Sequence, residues 1–509
     1  MGLILTALLL PALVGSVLIL GAHRLPARAA GGLALLASAG ALVATIAAIG
    51  TGARIAREWI PELGFTWIFF SDQISAPLLL LTAGITLLVV VHGLRHRPAG
   101  GPAGLYFGLI LLIDCGALAT FWTGDLIVFF IAFEVVLVPM WVLIHRFGDA
   151  HDPGARREAA IRFVLFTALG SSLMLAGILT LVSASDSSAM GSILSSGLSS
   201  DTQMVAAGLL VLGLAVKVPI FPLHSWLPPA HTIAPTGGSV LLAAILLKMG
   251  TYGLIRLPMA LTPDGFARVA PVLAMFGVVG IVWGALVCLV ERDLKRLIAY
   301  SSVAHMGFVA LALGTNSALG LQAALVANVA HGLISALLFF VVGGLKERWG
   351  SVDLGQLRPA LRETWPALGF ALMVGLAGSL ALPGLASFWG EFLAITAAWQ
   401  PPPSPAGLPA AGGLLEQVGW FAYVPPGPVS AGLLRGLAVL AALGAVLAAA
   451  YSLRVARLVW MGDPAPRDRD GDATGTELFV IVVLVVAIVV LGLLPYLVYP
   501  GSSVMVAGL

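Results

Sequence analysis

Six ionisable residues lie deep inside apolar stretches of the sequence. They are Asp114, Glu134, Lys217, Lys248, His331 and Glu391. An ionisable group at the centre of a bilayer costs at least about 2.5–3.5 kcal/mol, and such residues are rare outside ion and proton pathways. Each of them alone is equally well explained as a packing ion pair or as a long side chain that snorkels to the surface. Their number and their mixture of both charges favour a functional pathway.

These residue types suit the handling of protons. Carboxylate, ammonium and imidazole groups each gain or lose a proton when burial and neighbouring charges change their proton affinity. A glutamate beside a lysine stabilises the ammonium, whereas a desolvated lysine without that partner tends to release its proton. We interpret Glu134 and Lys217, followed by Lys248, as a proton switch. His305, in SSVAHMGF, is either a further relay member or a histidine at a capped helix end.

Several other kinds of site are excluded or weakly indicated. Metal ions need clustered ligands at short spacing, and no such cluster occurs; His224 and His231 stand too far apart in a proline-rich stretch to indicate one. The two cysteines, Cys115 and Cys288, are far apart in apolar runs and form no CxxC motif, so cysteine-bound electron carriers are excluded. The net charge of +2 gives no indication of nucleic-acid binding.

The elements that carry these residues are predicted to be membrane helices. Of the 509 residues, 59% are apolar and 10% are charged, whereas a soluble domain carries about 25% charged residues. We therefore predict an all-α polytopic membrane protein with about fourteen spans, each of about 20 apolar residues. The predicted spans, numbered in order, are 2–22, 30–50, 70–92, 104–122, 125–144, 162–184, 203–227, 237–258, 269–290, 297–314, 318–344, 367–398, 430–453 and 477–499.

The distribution of cations predicts the orientation. Lys and Arg are concentrated in the connections after odd-numbered spans, which places both termini on the outer side of the membrane. Arg256 is assigned here to the connection after span 8. The first span has neither a charged start nor a small-residue cleavage site, so we interpret it as a retained helix.

Proline and glycine predict that two spans are broken. Lys217-Val-Pro219-Ile-Phe-Pro222 interrupts span 7, and Leu382-Pro383-Gly384 interrupts span 12. Transporters built from inverted repeats place such breaks at the transport pathway. We predict two inverted five-helix repeats, spans 4–8 and 9–13; simple kinks are the alternative. The predicted segments are 1–99, a repeat over 100–260, a repeat over 265–460, and a C-terminal helix over 475–509. Lys248, by contrast, is expected in an unbroken helix.

Three stretches carry a resemblance to a known family. They are LAVKVPIFPLHSWLPPAHTIAPTGGSVLLAAILLKMGTYGLIR, DLKRLIAYSSVAHMG and LALPGLASFWGEF. They resemble the antiporter-like subunits of the proton-pumping NADH:quinone oxidoreductase, respiratory complex I, a family that is also similar to subunits of multi-subunit sodium/proton antiporters. The resemblance covers roughly residues 100–400. Within it, Glu391 indicates the subunit M (subunit 4) type, because the L and N types and the antiporters usually carry lysine there.

The resemblance implies a role for each buried residue. Glu134 resembles the glutamate of an input half-channel and Lys217 its pump lysine, while Lys248 resembles a central bridging lysine. His305 and His331 resemble relay histidines, and Glu391 resembles the terminal acid on the exit side. Asp114 stands where relatives often have glutamate, so its role is implied less directly.

The resemblance also implies a setting for the chain. It implies no cofactor and no metal in this chain, with FMN, iron–sulfur clusters, NADH and a quinone bound by other subunits. The expected partners are the lipid bilayer and the other membrane subunits of complex I, especially L-like and N-like antiporter subunits on either side. The expected location is the bacterial inner (plasma) membrane. The alternatives are a subunit of a multi-subunit sodium/proton antiporter and a non-transporting structural membrane subunit.

Overall fold

A computed structural model describes residues 1–60, 62, 64–355, 360–400, 430–461 and 471–498. Within them, thirteen helices are long and apolar enough to cross a membrane. We number these spans 1–11, 13 and 14: Gly2–Leu20, Ala27–Gly50, Ser75–Gly93, Ala103–Trp122, Leu126–Phe147, Pro153–Ser185, Ser200–Lys217, Thr236–Met259, Pro263–Val290, Leu294–Gly314, Ala318–Trp349, Ala431–Val459 and Gly475–Leu493. Shorter elements are the helices Met190–Ser195, Leu227–Ile233, Leu361–Thr364, Pro366–Ser379 and Ala386–Trp399 and the 3₁₀ turn Pro495–Leu497.

Span 12 consists of two of these shorter helices, Pro366–Ser379 and Ala386–Trp399. The thirteen long helices and this divided one account for the expected fourteen spans, so the prediction of an all-α polytopic membrane protein is confirmed. The chain between the two halves turns at Ala381 (φ 56°) and Gly384 (φ 91°), in the left-handed region that does not continue a helix. Span 7 ends at Lys217, and a short helix follows only at Leu227–Ile233. Both predicted breaks are therefore present.

Two spans are less regular than expected. Span 5 is made of two helical segments, Leu126–Val135 and Leu137–Phe147, that meet at Val136. Span 8 is continuous, but its Leu242–Leu246 and Ile255–Met259 stretches are π-helical. Lys248 thus lies in an unbroken helix, as expected, although apolar periodicity does not distinguish the α-helical turns of this span from its π-helical ones. π-Helical turns occur frequently at functional sites.

The connection between spans 2 and 3 forms a β-hairpin that has no counterpart among the elements expected from the sequence. Strand β1 is Arg54–Ile60 and β2 is Phe65–Phe70. They pair antiparallel, with an irregularity between Glu58 and Ile60. The aromatic and β-branched residues of FTWIFF favour a strand, but the charged residues in β1 obscured the pattern.

The chain divides into two compact units. The first contains Met1–Pro219 and Leu223–Pro271; the second contains Ile220–Pro222 and the described parts of 272–402 and 429–509. In the first unit, the apolar window of span 8 is 100% buried, and in the second those of spans 10 and 11 are each 94% buried. The windows of the outer spans 1 and 13 are only 33% buried, as expected for helices that face lipid. The inverted-repeat relation between spans 4–8 and 9–13 stays a prediction.

Candidate functional site

In the first unit, Lys217 is the last residue of the first half of span 7. Its side chain is buried, with 3% of its surface exposed. The break leaves carbonyl groups at this helix end without their usual partners. One of them is satisfied by Trp226, whose indole Nε1–H donates to the Val216 carbonyl oxygen at 2.9 Å. The tryptophan therefore fixes the backbone next to Lys217 across the break.

Glu134 lies beside the irregularity of span 5 and is bound by a hydroxyl group. Ser171 of span 6 donates a short hydrogen bond from Oγ to Glu134 Oε1. The serine is brought close by a tight crossing of spans 6 and 7, where a Cβ on Gly170 would lie 2.8 Å from the Gly213 carbonyl oxygen. Because glycine has no Cβ, the two backbones can approach at this point.

Glu134 and Lys217 are close neighbours without direct contact. The Lys217 ammonium lies 4.8 Å from the ring centroid of Phe133, the residue before Glu134. No ion pair within 4.0 Å joins Lys217 to Glu134 in the structure as described. The expected switch pair is thus separated, and a cation–π contact takes the place of an ion pair.

Lys248 is completely buried in span 8. Its Nζ donates to the Ala243 carbonyl oxygen at 2.7 Å, within the π-helical stretch that precedes it. Further along the span, Gly250 packs on the end of span 7: a Cβ there would lie 3.1 Å from Lys217 Cβ and 2.9 Å from Val218 Cγ2. The helix that carries Lys248 therefore rests directly on the backbone that carries Lys217.

Asp114 is completely buried between spans 3 and 4. Thr86 donates from Oγ1 to Asp114 Oδ1 at 2.8 Å, whereas Oδ2 has no hydrogen-bond partner among the described residues. A buried polar atom without a partner is costly, so Asp114 is not explained by packing alone. Two positions along span 4, Gly116 faces Val136 at the irregularity of span 5.

In the second unit, three titratable side chains form a row. His305 Nε2 lies 3.4 Å from Glu391 Oε1, and the rings of His305 and His331 have centroids 5.4 Å apart. All three are buried. The structure therefore brings His305, which the sequence left between two interpretations, into direct contact with two of the other predicted residues.

Both ring nitrogens of His305 lie within hydrogen-bond distance of backbone carbonyl oxygens. Its Nδ1 lies 2.6 Å from the Ser301 carbonyl oxygen and its Nε2 lies 2.9 Å from that of Ser379. A carbonyl oxygen only accepts hydrogen bonds, so a ring nitrogen that carries a hydrogen donates it there. Ser379 is the last residue before the break in span 12. Its carbonyl, freed by the break, is thus satisfied by a histidine that can carry a proton.

Two buried ion pairs were not expected from the sequence. Arg256 Nη2 lies 2.5 Å from Asp72 Oδ1 in the first unit, and in the second unit Arg348 makes a two-pronged bond to Glu477 at 2.9 and 3.0 Å. The assignment of Arg256 to a connection is wrong, since it lies inside span 8 with 4% of its surface exposed. Arg256 lies within the predicted limits of span 8, and this position could have identified it as a buried residue.

The described residues contain no group of three or more His, Cys, Asp or Glu side chains that could hold a metal ion. Cys115 and Cys288 carry free thiols. The candidate site therefore consists of titratable side chains, hydroxyl groups and freed backbone carbonyls at two broken helices. With the fold, these features define an antiporter-like membrane subunit.

The chain belongs to the NADH:quinone oxidoreductase/Mrp antiporter transmembrane family, whose model matches residues 123–404. It is 36% identical over 460 residues to the NAD(P)H-quinone oxidoreductase chain 4 1 of Synechococcus sp. (strain JA-3-3Ab), covering 88% of this chain and 81% of the relative. The resemblance to the subunit 4 type of complex I subunits is therefore confirmed.

Solved structures agree with this assignment. A chain of respiratory complex I from Thermus thermophilus with bound NADH matches with a TM-score of 0.82 and 27% identity, over 97% of this chain and 96% of that chain. A chain of the Mrp complex from Dietzia sp. DQ12-45-1b matches with a TM-score of 0.80 and 22% identity, over 98% of this chain and 51% of that one. The second likeness shows a shared fold.

Proposed function

We propose that this chain translocates protons as the subunit M type of a NADH:quinone oxidoreductase. One observation carries the proposal: buried titratable residues lie at or near both helix breaks. Lys217 is the last helical residue before the first break, and Glu391 lies in the helix that follows the second, in contact with His305, which reaches the Ser379 carbonyl oxygen at that break. A broken helix in a membrane is tolerated where its freed backbone groups are buried or face a polar cavity. Titratable groups gain and lose protons, so their presence at two such places favours a proton as the transported ion.

In the proposed route, a proton enters near Glu134 and Lys217 and passes through Lys248 and buried water. It then reaches His331, transfers to His305, and leaves by Glu391. Asp114 belongs to the polar surroundings of the entry. The contact of His305 with Glu391 supports the last step, because a donor and an acceptor at 3.4 Å need only a small approach for transfer. The energy arrives electrostatically from neighbouring subunits after quinone reduction.

The setting of the chain is part of the proposal. FMN, iron–sulfur clusters, NADH and the quinone bind to other subunits, and this chain holds no redox centre. It is then one subunit of an enzyme of the translocase class. L-like and N-like subunits flank it in a bacterial inner membrane, with both termini on the outer side.

Arginine substitution tests the proposed route. The guanidinium group keeps its proton in proteins, so Lys217→Arg and Lys248→Arg keep the charge and block proton release. We expect proton pumping by either variant to fall about a hundredfold, the low end of what loss of a positioned proton-transfer group costs. Lys217→Ala should be equally impaired. Lys248→Ala should still pass protons slowly where water bridges the space left by the lysine side chain.

The measurement is NADH-driven pumping by the whole complex in proteoliposomes, with assembly checked on a native gel. Arg97→Lys, in a connection outside the spans, is the control for a change of cation type. Assembled arginine variants that pump at the parent rate would show that neither lysine needs to release a proton, and the route would be wrong.

A second function, sodium/proton antiport driven by an ion gradient, is favoured by one observation: the fold shared with the Mrp complex chain. The higher identity to chain 4 relatives favours the first proposal. Replacing all sodium by potassium in the vesicles separates the two, because pumping driven by quinone reduction should continue and sodium/proton antiport should stop.

A further inference from the structure

The end of span 8 holds a buried charge cluster that the proposed route does not use. Arg256 lies on the same side of the helix as Lys248, with Tyr252 between them. At a rise of about 1.5 Å per residue, Arg256 is about 12 Å beyond Lys248 and about one turn from the end of the span. The cluster therefore stands between a proposed proton carrier and the compartment at that end of the first unit.

The acidic partner of Arg256 is held rigidly. Asp72 Oδ1 accepts from Arg256 Nη2 at 2.5 Å and from the backbone N–H groups of Ile74 and Ser75 at 3.1 and 2.9 Å. These N–H groups belong to the start of span 3, where a negative charge is stabilised by the helix. The Asp72 N–H in turn donates to Ser75 Oγ at 3.0 Å. Asp72 Oδ1 is thus held by three donors, whereas Oδ2 has no hydrogen-bond partner among the described residues.

The single proton of the Tyr252 hydroxyl group is already directed to an acceptor. It accepts from Arg256 Nε at 3.0 Å and donates to the Phe121 carbonyl oxygen, at the end of span 4, at 3.0 Å. A hydroxyl group has one proton to donate. Because that proton is already directed to a carbonyl, Tyr252 cannot hand a proton from the side of Lys248 to Asp72 without breaking this bond.

Arg256 interrupts any proton wire at this point. Its guanidinium carries five N–H donors and no acceptor, and it stays protonated. Its guanidinium carbon lies 5.2 Å from the ring centroid of Tyr252 and 5.8 Å from that of Phe70. A hydrogen-bonded chain can pass a proton only through groups that can accept one. Arginine side chains also help to exclude protons from membrane channels.

We propose that Asp72, Tyr252 and Arg256 form a seal that keeps the proton of Lys248 from escaping at the end of span 8. We call these three residues the seal. The inference rests on the proposed function of Lys248 as a proton carrier. It adds a role for Arg256 and Asp72. They prevent passive leakage of protons at this end of the first unit, so that protons leave only along the proposed route.

The test measures passive proton flux through the whole complex in proteoliposomes. A pH gradient is imposed without NADH, and a trapped pH-sensitive dye reports its decay. We expect Arg256→Met and Asp72→Asn to raise the leak severalfold over the parent. The matched control is Arg348→Met, which breaks the other buried arginine–carboxylate pair, in the second unit, and should leave the leak unchanged.

A double variant ties the leak to the proposed carrier. If protons escape from Lys248 past an opened seal, Arg256→Met combined with Lys248→Arg, whose guanidinium keeps its proton, should leak clearly less than Arg256→Met alone. A leak that persists in the double variant runs elsewhere and overturns the inference.

The other outcomes are also decisive. Assembled seal variants as tight as the parent overturn the inference, and so does a leak equal to that of Arg348→Met. Lost pumping without added leak shows that the cluster conducts protons, which also contradicts a seal. If the Arg256→Met complex does not assemble, the proton leak of the nearly isosteric Asp72→Asn variant decides between these outcomes. A failure of the proposed function is distinguishable, because Lys248→Arg would then pump at the parent rate whatever the leak.

Discussion

Glu134 and Lys217 do not touch, and this separation changes how a switch between them has to work. Glu134 is bound by Ser171, and Lys217 lies over the ring of Phe133. A direct ion pair would hold the ammonium firmly in its charged state. A carboxylate that shares its charge with a hydroxyl group attracts the ammonium more weakly, so in the proposed switch a smaller disturbance is enough for Lys217 to release its proton.

We predict that Ser171→Ala slows proton pumping severalfold while the complex still assembles. A hydrogen bond to a charged group contributes about 1.5–3 kcal/mol, so its loss changes the electrostatic influence of Glu134 on Lys217. The matched control is Ser172→Ala, since Ser172 Oγ bonds only the Ala168 carbonyl oxygen of its own helix and is exposed. Equal pumping by the two variants would contradict a role for Ser171.

At the scale of the elements, each broken helix is closed by a ring nitrogen from elsewhere in its unit. Trp226 donates to the carbonyl of Val216 at the first break, and His305 reaches the carbonyl of Ser379 at the second. The two rings differ in their chemistry. Indole N–H only donates, whereas imidazole can exchange its proton. Under the proposed function, the second break is therefore the one whose closing ring can also carry a proton.

We predict that Gly250→Ala impairs the assembled complex. The added Cβ would lie 2.9 Å from Val218 Cγ2 and 3.1 Å from Lys217 Cβ, so span 8 has to move away from the first break. Overpacking of this kind costs about 1–3 kcal/mol, and we expect a lower thermal midpoint of the complex together with slower pumping.

Gly208→Ala is the control for the loss of a glycine. Gly208 lies in span 7, and a Cβ at this position would meet no atom within 4 Å. Because alanine favours a helix by about 1 kcal/mol over glycine, this variant should be as stable as the parent or slightly more stable. If Gly250→Ala behaves in the same way, the close packing of span 8 on Lys217 has no functional consequence.

At the scale of the whole molecule, the described residues include buried charges but no group of three or more His, Cys, Asp or Glu side chains that could hold a metal ion. Under the proposed function, the chain depends on an energy source outside itself. Its chain 4 relatives and the matching complex I structure suggest where to look for that source.

We predict that the chain, purified with a mild detergent from its native membrane, brings with it subunits that contain flavin and iron–sulfur clusters. The measurement is the absorbance and electron paramagnetic resonance of the purified assembly, with subunits identified by mass spectrometry. Purification together with hydrophobic antiporter subunits alone would support the antiport function instead.

Much of the fold could be predicted because it depends on local properties. The length of an apolar run sets a span, since lipid accepts only helices whose backbone groups are satisfied internally. Pro219 and Pro222, and Pro383 with Gly384, determine where two helices must break. The same reasoning identified five buried ionisable residues, because their cost in an apolar run can be judged from their immediate neighbours: Asp114, Lys217, Lys248, His331 and Glu391. It also named Glu134, which is only partly buried, and it missed Arg256.

The tertiary structure alone decided which of these groups meet. His305 and Glu391 come from spans 10 and 12, Ser171 and Glu134 from spans 6 and 5, and Arg256 and Asp72 from span 8 and the start of span 3. Such contacts depend on which faces two helices turn toward each other and how far each slides along its axis. In apolar spans nearly every residue type is compatible with either a lipid or a protein neighbour, so the amino-acid pattern does not select one packing.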